Sequence, residues 1–194
     1  MAIKYGRARL SGHLSSTGEV SAVLRTELHR VLMPLARAHL RAAAEDAARG
    51  EPPLGNVAAF VLLSHCALSS FLWSTWQDRG DARPHKIAEM IGKAEEDDKP
   101  PPISFHDFLK AVGRGVDGKQ PVTSKDLDGI KAYVDVRNKL LQHSPQKFAD
   151  AGPQTTVRAT LTAEYGKRVW QHLENAIRAI SGKYGLDVSW LDRC

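Results

Sequence analysis

The sequence predicts an all-α fold, a helical bundle of four main helices with one or two short helices added. Three observations predict it. Apolar residues recur at the helical spacing i, i+3, i+4, i+7 in the long stretches 19–49, 123–143 and 162–184. Residues 56–77 form a fourth stretch, apolar enough for a helix buried on most sides. Between the stretches lie breakers rich in proline and glycine: "DDKPPPI", "GRGVDGKQPVT" and "DAGPQTT". No convincing strand pattern interrupts this rhythm; "TTVRATL" at 155–161 is the best candidate for extended structure.

Residues 1–18 read as a basic N-terminal segment, 19–184 as the helical domain and 185–194 as a tail. The first helix is expected from Glu19 to Arg49, on Val20, Val23, Leu24, Leu28, Val31, Leu32 and Leu35. Pro34 removes a backbone donor inside it and predicts a kink. Asn56 is expected to cap the second helix. That run carries no charge between Pro52 and Gln77, a length that a bilayer span also needs. Ser64, His65, Ser69, Ser70, Ser74 and Thr75 are spread around it and favour a central bundle helix, with no membrane involved.

Pro84 opens a short helix in "RPHKIAEMIGKAEEDD". Ser104 and Asp107 have the spacing of a capping box at the start of another. Thr123 or Ser124 caps the helix that runs toward His143. Thr162 caps the last long helix, whose apolar face is Tyr165, Val169, Leu173, Ile177 and Ile180. Gly185 stands just beyond it, where chains often leave a helix. In the tail, Trp190 is the residue that would pack.

Composition bounds the class. The chain has 194 residues, 42% hydrophobic and 25% charged, as ordinary globular proteins do. Cys66 and Cys194 lie far apart, so no structural disulfide is expected, which fits a reducing cytoplasm. No Cys/His cluster has zinc spacing, and the first residues lack the apolar run of a secretory signal. The net charge is +5. Residues 1–50 carry eight Lys/Arg against four Asp/Glu, residues 51–100 five against eight, and residues 101–194 fourteen against ten. Basic ends permit contact with a polyanion such as RNA without establishing it.

The stretch with most chemical content is "YVDVRNKLLQHSPQ". On a helical wheel Leu127, Ile130, Val134 and Leu141 form one stripe, and Arg137 falls in its middle. An arginine there is costly unless paired. It either snorkels out at an edge or points into a polar cleft. His143, six residues on, would sit about 120° away in an unbroken helix. Pro145 disfavours helix at Ser144 and ends it near Leu141 to His143, leaving the imidazole free to swing toward the same cleft. The plain alternative is a helix C-terminus whose cations complement its dipole.

The phrase "VRNKLLQH" resembles the RNxxxxH signature of HEPN domains, an arginine and asparagine followed by a histidine a few residues later. Here Asn138 to Gln142 separate Arg137 from His143. In that family the motif lies near the end of a late core helix and one more long helix follows, as 123–143 and 162–184 do here. The resemblance covers 19–184 loosely and the motif closely. It implies a HEPN-like bundle and a metal-independent, cofactor-free endoribonuclease of bacterial defence or toxin–antitoxin systems. It also implies a homodimer whose two motifs share a cleft, with an antitoxin or effector protein as a further partner. The catalytic roles carry over to Arg137, Asn138 and His143.

Around the motif, Lys139 is a candidate for phosphate contact and equally a solvated lysine. Arg7 and Arg9, with Tyr5, are candidates for RNA contact by charge and stacking, or simply part of a loose terminus. Ser64, His65 and Ser69 are candidates for polar residues that line the cleft; a core histidine is the competing reading of His65. His29, His39, His85, His106 and His172 make no metal pattern and read as surface or interface residues. "GRGVDGK" lacks P-loop spacing. Trp73 and Trp76 read as core, or as part of a two-fold interface. Two other functions stay open. One is a HEPN-like binding subunit without activity. The other is an unrelated bundle in which Arg137 pairs structurally with Asp107 or Asp135.

Overall fold

The computed structural model describes residues 9–14, 20–25, 27–78, 89, 103–115, 117–142 and 159–192. Helices dominate them: α1 His29–Ala48, α2 Leu54–Asp78, α3 Phe105–Arg114, α4 Ser124–Gln142, α5 Ala163–Tyr184 and the single turn α6 Ser189–Asp192. Residues 84–88 and 90–98 of the expected acidic helix lie outside the described residues; Glu89 is helical.

Helix α2 is the centre. It packs on α1, α3, α4 and α5. Its buried residues, among them Val57, Phe60, Val61, Leu68, Phe71, Leu72 and Trp76, lie on most sides of the helix, as a run without charges requires. By length and composition α2 is also long and apolar enough to cross a membrane. Trp76 and Trp73 both meet Phe108 of α3, at ring distances of 5.8 and 4.7 Å. Trp190 of α6 closes the other side against His29 and Phe71, at 5.1 and 6.5 Å, so the tail is packed.

The start of the chain differs from expectation. Val20–Arg25 is not the first turns of a helix but a strand, β2, paired antiparallel with β1, Arg9–Leu14. The register sets Leu10 opposite Leu24, Gly12 opposite Ala22 and Leu14 opposite Val20. Val20, Val23 and Leu24 satisfy a helical period over so short a run, but β-branched valines and a period of two serve a strand as well. Helix α1 therefore begins at His29, and Pro34 falls in its second turn, where only one i to i−4 bond is lost.

Caps follow the sequence closely. Ser104 Oγ accepts from Asp107 N at 3.1 Å and donates to its carboxylate at 2.6 Å. Thr123 does the same for Asp126, and Thr162 accepts from Tyr165 N. Gly185 is left-handed at φ 63°, ψ 30°, a conformation that glycine adopts without strain. Asn56 differs: α2 starts at Leu54, and the Asn56 amide bridges to Asp46 (2.7 Å) and His39 (2.9 Å), tying α2 to α1. Of the stretch expected to be extended, Ala159 and Thr160 are helical and Leu161 is buried.

Candidate functional site

Helix α4 is held on α2 by Tyr133, which is fully buried. Its hydroxyl donates to the Val61 carbonyl at 2.9 Å and lies 2.9 Å from Ser64 Oγ. A buried phenol needs such partners. One turn further along α4, at i+4, comes Arg137. The anchor thus delivers the arginine beside His65, one residue past Ser64. Ser64 itself is a support: it is buried, engaged with Tyr133, and does not line the cleft as expected.

The stripe predicted for α4 is rotated. Leu127, Ile130 and Tyr133 are buried, whereas Leu141 is 54% exposed. Arg137 stays on the inward side, half-buried. Its Nη1 donates to Asn138 Oδ1 at 2.9 Å. Its Nε is buried and has no hydrogen-bond partner. Among the described residues no carboxylate reaches salt-bridge distance. Asp107 is turned to Ser104. The structural ion pair with Asp107 or Asp135 is therefore not formed.

Arg137 and Asn138 open on a cavity of about 420 Å³. From α4 it is completed by Lys131, Val134 and Asp135, from α2 by His65, and from the start of α3 by Ser104, Phe105 and His106. The His65 ring lies 4.6 Å from Phe105 and 6.3 Å from Tyr133. Burial, and then the Arg137 charge, bring its pKa down to about 4, so its imidazole is neutral near pH 7. His106 is also shifted down, first by burial and then by Lys110, with Asp107 and Asp128 opposing. The Nδ1 atoms of both rings are buried and unpartnered. Such a cleft offers a fixed cation with a free donor to an oxyanion, beside neutral imidazoles that can accept or donate a proton.

His143 and Arg7 lie outside the described residues, and Arg9 is described as a position in β1. Lys139 is exposed and does not line the cavity. His29, expected at the surface, is 4% exposed between Phe71 and Trp190. His172 is bound to Asp126 at 2.8 Å. His106 and Lys131 belong to the cleft although neither stood out in the sequence. A signal for His106 existed: His106, Lys110 and Arg114 recur every fourth residue along α3. Among the described residues no group of three or more His, Cys, Asp or Glu is placed to hold a metal ion.

Comparisons of the chain with protein-family models, with curated proteins and with solved structures find no match.

Proposed function

We propose that the chain is a HEPN-type endoribonuclease, cytoplasmic and homodimeric, that cleaves RNA without a metal in a bacterial defence or toxin–antitoxin setting. The observation that carries this reading is the state of Arg137. A half-buried guanidinium, bonded to Asn138 and to no acid among the described residues, faces a polar cleft. A charge left so is a standing cost to the fold unless an anion comes to it.

In the proposed reaction Arg137 binds a non-bridging phosphate oxygen and stabilises charge that develops there. Asn138 fixes the guanidinium plane. His143 takes the proton of the ribose 2′-OH as the 2′ oxygen attacks phosphorus. The P–O5′ bond breaks, and the leaving 5′ oxygen takes a proton from solvent water, while His143 later gives up the proton it took. The products are a 2′,3′-cyclic phosphate and a 5′-hydroxyl.

Purified protein in EDTA should cut single-stranded RNA to those ends. His143→Ala and Arg137→Ala should each lower the rate by at least about 100-fold while the circular-dichroism melt is retained. Cleavage at the parental rate in the histidine variant removes the catalytic assignment. A second reading, a HEPN-like assembly subunit without activity, draws on the exposed Leu28, just before α1, and Val31 and Leu35 of α1, which form an apolar edge. There Arg137→Ala would weaken partner assembly and leave no turnover to lose.

A further inference from the structure

We propose that the groove between α3 and α4 is a track for the phosphodiester backbone of single-stranded RNA, leading from Arg137 past Lys131 and His106 to Lys110 and Arg114. This rests on the ribonuclease reading for its ligand, and it extends that site beyond the reacting phosphate.

The groove holds two adjacent cavities. A second cavity, of about 480 Å³, is lined by His106, Lys110, Arg114 and Asp128 together with residues at the start of α4. His106 lines both this cavity and the one at Arg137, so the two are neighbours. Along α3 the stripe from His106 to Arg114 rises about 12 Å at 1.5 Å per residue. That is longer than one phosphate and leads away from Arg137.

The charges are available. None of Lys110, Arg114, Lys131 and Arg137 has an acid partner among the described residues. Four other cations are matched, Arg30 by Glu27, Arg49 by Asp46 and Glu51, Arg178 by Glu174 and Asp192, and Lys183 by Asp117, while Lys125, Lys139, Lys167 and Arg168 are unmatched among the described residues but line neither cavity. Asp128 and Asp135 face the groove and reduce its potential. Four cations against two carboxylates still leave it positive.

The shape and chemistry fit a nucleic-acid strand better than a protein. A protein interface has an apolar centre, but among the described residues the exposed large apolar ones are Leu28, Val31, Leu35 and Leu141, and none lines either cavity. The groove instead has a buried, unpartnered N–H at Arg137 and two buried, unpartnered imidazole nitrogens at His65 and His106. Phe105, on the wall beside His65, supplies an aromatic surface for a base.

The test uses full-length protein and fluorescent 2′-O-methyl oligonucleotides, which bind without being cut, read by anisotropy. Affinity should rise between a 4-mer and a 12-mer. In Lys110→Ala/Arg114→Ala the 12-mer should bind at least tenfold more weakly, and the salt slope should fall by about 1.4 for two lost phosphate contacts on a single strand. Lys131→Glu, an exposed position on another helix, should act in the same direction and guards against a folding defect in the double variant. Unchanged 12-mer affinity and salt slope in both variants would overturn the track. So would poly-glutamate binding as tightly as the 12-mer with the same loss, since the face would then be an acidic-protein site. Because the oligonucleotides resist cleavage, absence of RNA cutting with the track intact counts against the ribonuclease reading alone.

Discussion

Arg137 is a residue whose place costs the fold something, and that makes its purpose measurable. A half-buried cation without a carboxylate gains little that offsets its desolvation, so an apolar side chain of similar length can replace it at no loss of stability. Arg137→Met should therefore leave stability unchanged or raise it by about 1–3 kcal/mol in urea denaturation, while cleavage is lost. A structural arginine behaves in the opposite way, and a loss of more than about 2 kcal/mol would assign it to packing. Its anomaly was visible on the wheel, because an arginine among Leu127, Ile130 and Val134 breaks the apolar stripe. The neighbours were less visible. Leu141 was placed on that stripe but is exposed, because the buried side of α4 is set by the Tyr133 bond to Val61, a contact 72 residues apart in sequence. His106 and Lys131 come to the cleft through the α3–α4 approach, which no local pattern records.

Elements were legible where their signals are local. Ser104, Thr123, Thr162 and Gly185 act within one turn of themselves, and all four sit where their chemistry predicts. The N-terminal hairpin was not legible, because a six-residue run fits both periods and only the partner strand decides. Gly129 shows the same dependence on a neighbour. Helix propensity alone favours alanine over glycine by about 1 kcal/mol. Yet a Cβ at 129 would lie 2.3 Å from Cδ2 of His172 and 2.6 Å from its Cγ. That ring is fixed by its bond to Asp126, which also accepts from Asn175 and Thr123. Ring and helix must separate, so this clasp of α4 on α5 is strained or broken. Gly129→Ala should destabilise the protein by about 1–3 kcal/mol in urea denaturation, as overpacking does. An increase in stability would mean that the clasp yields freely.

At the scale of the whole molecule, a buried histidine stands at each of two junctions that α2 makes. His65 sits where α2 meets α3 and α4; His29 sits where α1 meets α2 and α6. Burial first and Arg30 second bring His29 down to about 4, as burial and Arg137 do for His65. In the unfolded chain both return to about 6.5. Between those values the unfolded state binds more protons than the folded one, so stability rises with pH. The contribution is complete above about pH 6.5 and lost as pH falls toward 4, by about 3 kcal/mol for each histidine at the lower end. Asp126 adds to the loss lower still. Burial would raise its pKa, but hydrogen bonds from His172, Thr123 and Asn175 outweigh that and hold it below the ordinary 3.8. Urea midpoints measured at pH 7, 5.5 and 4.5 should therefore fall steadily. His29→Gln should flatten the part of that fall that belongs to the α1–α6 junction, and equal midpoints at pH 7 and 4.5 in the parent protein would show that neither ring is held neutral by burial. Acid acts on the His65 junction, which packs α2 on α3 and α4, so the cleft at Arg137 should lose RNA binding in the same pH range in which the bundle loosens.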